Sequence, residues 1–349
     1  MMSTAPDLLT VPQRTPSASA APLVDMHGRR MGYLRVSVTP HCNFRCVYCR
    51  PATGDEGPPA DQVLTAEEIV RVCRVAGSLG FAKVRLTGGE PLVRRGIADL
   101  VRAVRELPGV DEVAMTTNAS LLHVHAASLK AAGLGRVNVS LDTLRRDRAA
   151  SIARGDVLPA VLNGIDAAVA AGLGPLKFNA VVLRGRNDDE LADLVRFAHA
   201  RGAVTRFIEY MPMGDDRLGP ADAVVTADEM RRRLNEHFDL RPEVTSPDAA
   251  DPARGWRCAT TGARVGFITS MSDQFCGTCN RMRLTAEGAL RPCLHQDYEV
   301  GVRDVLRGGG TDADLAAKFR EAAAGKWAGH RMTAFVPVFA RRRMVSIGG

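Results

Sequence analysis

The chain has 349 residues, of which 46% are hydrophobic and 24% charged, and its formal net charge is +7. This length allows one large domain and a smaller one, and the composition is typical of a globular protein rather than a disordered or collagen-like chain. No apolar run approaches the roughly 20 residues that span a bilayer, and the first residues lack the apolar segment of a signal peptide. We therefore expect a cytoplasmic protein without a membrane partner.

The positive charge does not by itself indicate a nucleic-acid ligand. Lysine and arginine are scattered along the chain, and no basic tract is interleaved with aromatic residues. Proteins that bind nucleic acid normally concentrate basic residues on one face or in one tract, so we expect no nucleic-acid partner. Positive charge serves a small anionic substrate equally well.

Residues 1–30 are rich in Ala, Ser, Thr and Pro and predict a flexible N-terminal tail. Strand-like runs then alternate with amphipathic helical segments over residues 31–240. The strands are YLRVSVT, AKVRLT, EVAMTTN, RVNVSLDT, LKFNAVVL and VTRFIEY, and the first helix, TAEEIVRVCRVAGSL, begins with the capping-box pair Thr65 and Glu68. Six successive βα units predict a parallel sheet covered by helices. Because eight would close a barrel, we expect an incomplete (β/α)6 TIM-like barrel.

One face of each predicted strand is polar. Arg35, Ser37 and Thr39 alternate with apolar residues in the first strand, and Lys177 and Asn179 do so in the fifth. Parallel strands covered by helices normally read as continuous apolar runs. One explanation of these polar faces is that the strands lie at sheet edges or are exposed to solvent. We prefer a water-filled, cationic barrel interior that binds an anion, because burying so many cations without one would cost several kcal/mol each.

A Pro/Asp/Ala-rich linker, RPEVTSPDAADPARG, follows Phe238. The sequence beyond it no longer alternates between strands and helices. We therefore predict a second, C-terminal domain over residues 241–349.

Three of the eight cysteines fall within eight residues, in HCNFRCVYCR. In the cytoplasm, clustered thiols indicate a metal or catalysis rather than disulfides, and this loop follows the first strand at the end where α/β barrels place their chemistry. A structural zinc would need a fourth ligand, for which His41 is available, and a thioredoxin-like pair would leave Cys42 without a role. Three thiolates suit a cubane iron–sulfur cluster with one iron open to a ligand.

The C-x3-C-x2-C spacing, with Tyr48 before the last cysteine, resembles that of the radical S-adenosylmethionine (SAM) enzymes. In that superfamily the open iron binds SAM, and one electron from the cluster breaks SAM to give a 5′-deoxyadenosyl radical that abstracts hydrogen. A Gly-Gly-Glu motif follows the second strand in the superfamily, and TGGEP stands at this place, from Thr87 to Pro91. Glycine permits close backbone approach to a ligand, and Glu90 is a candidate for binding the methionine ammonium.

A second cysteine group lies in CGTCN and RPCLHQD. On spacing alone, Cys276, Cys279, Cys293 and His295 are candidates for a Cys3His zinc site. The segment FCGTCNRMRLTAEGALRPCL, however, closely resembles the C-terminal cluster region of the GTP 3′,8-cyclase family of molybdenum cofactor biosynthesis. The segments RLTGGEPLVRR, MTTNAS, NVSLDT, RFIEYMPMGD and the terminal IGG resemble the same family, so that the resemblance begins near Met31 and leaves only the tail unmatched.

The resemblance implies conversion of GTP to 3′,8-cyclo-7,8-dihydro-GTP with SAM and two 4Fe–4S clusters. The first cluster would be bound by Cys42, Cys46 and Cys49, and the second, whose open iron holds the guanine, by Cys276, Cys279 and Cys293. The resemblance also implies an electron donor and, downstream, cyclic pyranopterin monophosphate synthase as partners. The oligomeric state is open, with a homodimer as one alternative.

Further site residues are carried over from the family by position. The expected SAM contacts are Tyr48, Gly89, Ser140 and Met211, with Glu90 as above. The expected GTP contacts are Arg35, Arg85, Thr116, Lys177, Arg281 and Arg283, with Lys83 and Arg206 as further members of the basic lining. Arg281 and Arg283 are two residues apart, so in an extended segment they point the same way, as a phosphate clamp requires. With Gly348 and Gly349, which we expect to enter the cavity, they are the candidate catalytic residues.

Two further expectations concern single residues. The family usually has glycine at Ala119, and we expect only a small loop difference there. Cys73 falls with Val72, Ala76 and Leu79 on one face of a helix, which favours a core position.

Two other functions remain to be distinguished. A radical SAM peptide-modifying enzyme with auxiliary clusters usually carries more C-terminal cysteines, and it has no need of an Arg- and Lys-lined barrel. A non-enzymatic iron–sulfur electron carrier needs no open iron, no GGEP motif and no triphosphate clamp.

Overall fold

The structure is a computed structural model that describes residues 22–53, 57–212, 223–243, 250–330 and 347. Its strands are β1 (Tyr33–Ser37), β2 (Lys83–Thr87), β3 (Glu112–Thr117), β4 (Arg136–Ser140), β5 (Lys177–Val182), β6 (Val204–Glu209), β7 (Leu240–Glu243), β8 (Ala253–Cys258), β9 (Arg264–Ile268), β10 (Arg281–Leu284), β11 (Ala289–Arg291) and β12 (Val300–Gly301). Its helices are α1 (Ala66–Ser78), α2 (Ile97–Arg105), α3 (Leu122–Ala131), α4 (Arg146–Ala153), α5 (Leu158–Ala170), α6 (Leu191–His199), α7 (Ala227–Asn235), α8 (Arg303–Arg307) and α9 (Asp312–Ala324). Over these ranges, no helix combines the length and the apolar character needed to cross a membrane.

The sheet contains the six predicted strands and two more parallel strands from the C-terminal region. Its order is β12-β11-β10-β1-β2-β3-β4-β5-β6-β9-β8-β7. Strands β1 to β6 are parallel neighbours, β10 pairs in parallel with β1, and β9 pairs in parallel with β6. The α/β TIM-like prediction is therefore confirmed, and in the described chain the sheet has two ends and stays open.

The described strands of the C-terminal region all belong to the barrel sheet. Strands β9 and β10 extend the barrel sheet at its two edges because edge strands carry unpaired backbone groups that a further strand can satisfy. The sheet thus crosses the boundary predicted at residues 240 and 241. The division into a barrel and a C-terminal domain stays a prediction.

The flexible tail was predicted to reach residue 30, and the structure differs from residue 22 onward. Val24 and Arg30 form an antiparallel bridge, and the Leu23 amide donates to the Leu79 carbonyl at 2.9 Å. Arg29 is buried beside Asp25. Composition could not reveal this, because the anchoring contacts are made with residues far away in the chain.

Helix α1 shows how the core faces are made. Thr65 caps the helix, and its hydroxyl and the Glu68 side chain form the predicted capping box. Ile69, Val72 and Cys73 are fully buried in the main apolar cluster. The prediction of a core position for Cys73 is confirmed.

Ala119 lies in a backbone conformation that favours glycine. Its φ is +66°, in the left-handed region, which costs a residue with a Cβ roughly 1–2 kcal/mol. Its carbonyl packs directly against Gly164 of α5, where a Cβ would overlap the oxygen. The loop that carries Ala119 thus stays close to the helix behind it, at the cost of local strain.

Candidate active site

The first cysteine loop leaves β1 and folds back on itself. The amides of Cys49 and Arg50 both donate to the Cys46 carbonyl at 2.9 Å, which turns the chain between the last two cysteines. The Phe44 amide donates to the Cys42 sulfur at 3.3 Å. None of the three cysteines forms a disulfide, and all three are half-buried. Three reduced thiols with an N–H donor to sulfur fit an iron–sulfur cluster, whose potential depends on such hydrogen bonds.

The glycines of the GGEP loop are required by contact with this cysteine loop. A Cβ at Gly89 would overlap the His41 carbonyl and lie 2.9 Å from the Cys42 nitrogen. At Gly88 a Cβ would lie 2.6 Å from the Thr39 carbonyl oxygen. The Gly89 amide donates to Thr39 at 2.8 Å. Glycine was expected to permit approach to a ligand, and the structure shows that it permits two loops to dock backbone to backbone.

Glu90 ties this docked loop to β3. Its carboxylate accepts from the Leu92 amide at 3.1 Å, from the Thr117 hydroxyl at 2.6 Å and from the Asn118 amide at 2.7 Å. Burial raises the pKa of Glu90 to about 7, although these three donors favour the charged form. These contacts hold the GGEP loop against β3, and the predicted bond of Glu90 to the methionine ammonium stays a prediction.

Tyr48 connects the cysteine loop to the end of β4. Its hydroxyl donates to the Asp142 carboxylate at 2.6 Å, and the other carboxylate oxygen accepts from the Val181 amide at 2.9 Å. Burial raises the pKa of Asp142 to about 6 and raises that of Tyr48 above its usual range. Asp142 thus anchors the cysteine loop to the strands, a role that the sequence analysis did not predict.

A cavity lies between the cysteine loop, the GGEP loop and the carboxyl ends of the strands. It is lined by Cys42, Cys46, Cys49, Tyr48, Gly89, Glu90 and Ser140, all predicted to bind the first cluster or SAM. Thr116, predicted to contact GTP, lines the same cavity. Met211, half-buried after β6, is not among the described residues that line it.

The predicted GTP residues lie in register on adjacent strands. Tyr33 of β1 lies between Arg281 of β10 and Lys83 of β2. In the next layer, Arg35 lies between Arg283 and Arg85. Residues two apart share a face, so these layers place the five basic residues Arg35, Lys83, Arg85, Arg281 and Arg283 on one face. We call it the cationic face.

Lys177 and Arg206 continue the cationic face on β5 and β6. Lys177 lies opposite Asn138 of β4, and Asn179, two residues further along β5, lies opposite Arg206 of β6. Burial lowers the pKa of Lys177 to about 7, and the Arg206 charge adds to this. Gly266 of β9 lies opposite Arg206, and a Cβ there would come within 3.3 Å of the Arg206 side chain.

Three counter-groups on this face were missed in the sequence. Asp251 accepts from Arg206 at 2.8 Å. Glu112 accepts from two nitrogens of the Arg136 guanidinium, Nε and Nη2, at 2.6 Å each, and lies 3.7 Å from the Lys83 ammonium. The Tyr33 hydroxyl accepts from Arg85. Alternation could indicate the face of Glu112, but nothing in the sequence brings the linker residue Asp251 to β6.

The second cysteine group begins just before β10. A short 3-10 turn covers Cys276–Thr278, and the Cys279 amide donates to the Cys276 carbonyl at 3.1 Å. The three thiols are free and half-buried. Within the described ranges, no three His, Cys, Asp or Glu side chains are arranged to hold one metal ion. This result is the same for both cysteine groups, so the second cluster and the Cys3His zinc site with His295 both stay predictions.

Gly348 and Gly349 lie outside the described residues, but their neighbour Ile347 does not. Its side chain is fully buried, and its carbonyl accepts from Arg283 at 3.1 Å. The residue directly before the two glycines thus contacts the cationic face.

Known proteins resemble this chain in sequence and in fold. A profile of the radical SAM superfamily matches residues 36–198, and one described as Molybdenum Cofactor Synthesis C matches residues 203–332. The GTP 3′,8-cyclase of Moorella thermoacetica is 46% identical over 310 residues, 88% of this chain and 95% of that protein. That of Pelotomaculum thermopropionicum is 45% identical over 325 residues, 93% and 99% of the two chains. Streptococcus suis SuiB bound to S-adenosylmethionine has a similar fold, with a TM-score of 0.57 at 16% identity over 84% of this chain and 67% of that chain.

The open parallel barrel with its three-cysteine loop defines a radical SAM enzyme, which uses a 4Fe–4S cluster and SAM. The relatives from Moorella and Pelotomaculum, which are 46% and 45% identical over most of the chain, identify the family within this superfamily. The chain belongs to the GTP 3′,8-cyclase family of molybdenum cofactor biosynthesis.

Proposed function

We propose that this chain converts GTP to (8S)-3′,8-cyclo-7,8-dihydroguanosine 5′-triphosphate, using SAM and a 4Fe–4S cluster on each cysteine group. The observation that carries this proposal is the position of the two groups along β1 and β10. These strands are parallel, with Tyr33 opposite Arg281. Cys42 follows the carboxyl end of β1, whereas Cys279 precedes the amino end of β10. The cationic face therefore runs between the two groups, over roughly 16 Å for a five-residue strand.

This arrangement assigns distinct roles to the two ends of the face. Cys42, Cys46 and Cys49 would hold the first cluster, and Tyr48, Gly89, Glu90, Ser140 and Met211 would contact SAM. When bound, these two groups supply the radical that starts the reaction. Cys276, Cys279 and Cys293 would hold the second cluster, where an open iron would bind the guanine.

The side chains between the clusters bind and orient GTP. Arg281 and Arg283 would donate charge-assisted hydrogen bonds to the triphosphate, supported by Arg35, Lys83, Arg85, Thr116, Lys177 and Arg206. Such bonds are shorter and stronger than neutral ones. An anion that replaces water among these cations also offsets the cost of burying them. Thr116, predicted to contact GTP, lines the cavity predicted to hold SAM, which supports adjacent sites for the two ligands.

The terminal Gly348 and Gly349 would complete the site. The Arg283 bond to the Ile347 carbonyl supports this, since it brings the chain to the cationic face directly before the glycines. A residue without a side chain fits a narrow space and still offers backbone groups. The tail would thus help to arrange GTP for hydrogen transfer.

The proposal includes partners and a compartment. An electron donor would reduce the first cluster, and cyclic pyranopterin monophosphate synthase would take up the product. All eight cysteines lie in the described ranges and none forms a disulfide, which supports a reducing, cytoplasmic setting.

One anaerobic assay tests the function. Reconstituted protein is incubated with SAM, dithionite and GTP, and 5′-deoxyadenosine and the cyclised nucleotide are quantified together. We expect both products, in proportion, only when GTP is present. A peptide-modifying enzyme would give 5′-deoxyadenosine only with its peptide, and an electron carrier would give none, so either result would overturn the proposal.

A further inference from the structure

Two buried cations lie behind the second cysteine group, and the proposed reaction uses neither. Arg29 is 8% exposed and Lys326 is 4% exposed. The Arg29 guanidinium donates to the carbonyls of Cys276 at 2.7 Å, Trp327 at 2.6 Å and Ala328 at 3.0 Å. The Arg29 side chain thus links the backbone of Cys276 to that of Trp327 and Ala328, about fifty residues further along the chain.

Asp25 holds Arg29 in this orientation. One carboxylate oxygen accepts from the Arg29 side chain at 2.6 Å, and the other accepts from the amides of His27 and Arg29 at 2.9 Å. A planar guanidinium has several N–H donors in fixed positions, so it can hydrogen-bond to a carboxylate and to several carbonyls at once. The ion pair keeps the buried charge compensated, so Arg29 acts through geometry rather than through net charge.

Lys326 contacts the other two parts of the cysteine group. Its ammonium donates to the Arg281 carbonyl at 2.8 Å and to the carbonyl of Pro292, which directly precedes Cys293. These partners are neutral. Burial lowers the pKa of Lys326, and the charges that oppose this most strongly are those of the Cys279 and Cys293 thiolates. The two hydrogen bonds place the Lys326 charge beside the backbone that carries Cys279 and Cys293.

We propose that Arg29 and Lys326 are positioning residues for the second cysteine group. Arg29 fixes the backbone at Cys276, and Lys326 supplies a positive charge that retains a thiolate-bound, anionic iron–sulfur cluster and makes it easier to reduce. This inference rests on the proposed second cluster. Net charge and hydrogen bonding around a cluster set its potential, and groups outside the ligand set control metal retention.

The test isolates the second cluster by replacing Cys42, Cys46 and Cys49 with serine. In this parent protein we compare Lys326→Met, Lys326→Gln and Lys326→Arg, and separately Arg29→Met. Iron per chain, the rate of iron loss to a chelator and the midpoint potential from an EPR-monitored titration are measured. Lys318→Met and Arg30→Met are matched controls, because both side chains are partly or fully exposed. Thermal unfolding shows which variants keep the fold.

We expect Lys326→Met to lose iron about 10–100-fold faster than the parent and to have a lower midpoint potential. Lys326→Gln keeps a donor for the two carbonyls but not the charge, so it should show the same lower potential. Lys326→Arg should restore the potential, since the charge remains. Arg29→Met should speed iron loss and leave the potential near that of the parent. The controls should match the parent.

The possible failures are distinguishable. If Lys326→Gln keeps the parental potential, or if Lys326→Arg fails to restore it, the charge has no role and the inference is wrong. Parental iron loss in Arg29→Met would overturn the role of Arg29. If the parent itself takes up no iron, the proposed second cluster fails, and the inference fails with it.

Discussion

Gly89→Ala tests the docking of the GGEP loop on the cysteine loop. The new Cβ would overlap the His41 carbonyl and press on the Cys42 nitrogen, and backbone on both sides leaves no flexible side chain to yield. Overpacking of this kind costs about 1–3 kcal/mol. Separation of the loops would also break the bonds from Gly89 to Thr39 and from Glu90 to His41, both 2.8 Å, at about 0.5–1.5 kcal/mol each. The total is roughly 2–6 kcal/mol.

We expect this cost to fall on the first cluster and on SAM. Reconstituted Gly89→Ala should hold about four rather than about eight iron atoms per chain, and equilibrium dialysis should show weakened SAM binding. The control is Gly301→Ala, where a Cβ meets nothing within 4 Å. If Gly89→Ala matched Gly301→Ala in iron content and SAM binding, the docking explanation would be refuted.

Four further predictions concern the substrate end. Because the pKa of Lys177 is about 7 and a polyanion favours the ammonium, GTP affinity should fall between pH 6 and 8, and Lys177→Met should flatten this profile. Asp251→Asn removes an acid that competes with phosphate for Arg206, so inorganic triphosphate should bind more tightly in calorimetry; weaker binding would contradict this. Arg281→Ala should weaken GTP binding by about 10–200-fold, for a loss of about 1.5–3 kcal/mol, and a parallel loss of SAM affinity would refute the two-site assignment. Deleting Gly348 and Gly349 should keep both clusters but slow cyclisation at least ~10-fold, about 1.4 kcal/mol; wild-type turnover would show that the tail has no role.

Local rules were enough to predict the six barrel strands and the polar face they share. Alternation places Arg35 and Lys177 on the polar face, and the capping box of Thr65 sets the start of α1. Period-two and period-3.6 patterns depend on neighbouring residues, so they can be read from the sequence.

The positions of β9, β10 and Asp251 could not be predicted in this way. Each depends on pairing with residues far away in the chain, such as Arg283 opposite Arg35. A short strand carries no signal that names its partner. The structure differs from the predicted tail at Arg29 for the same reason, because its carbonyl acceptors Cys276 and Trp327 lie about 250 or more residues further along.

The sheet order also constrains when the protein can be completed during synthesis. Strand β1 leaves the ribosome early, but its outer neighbour β10 is made nearly 250 residues later, and β6 likewise waits for β9. Until then a six-stranded parallel sheet presents two unpaired edges, which are sites for aggregation. Contacts of such long sequence separation form slowly. We therefore expect the unpaired edges to persist until the last third of the chain is made, and the second cysteine group to reach its place only when β10 pairs with β1.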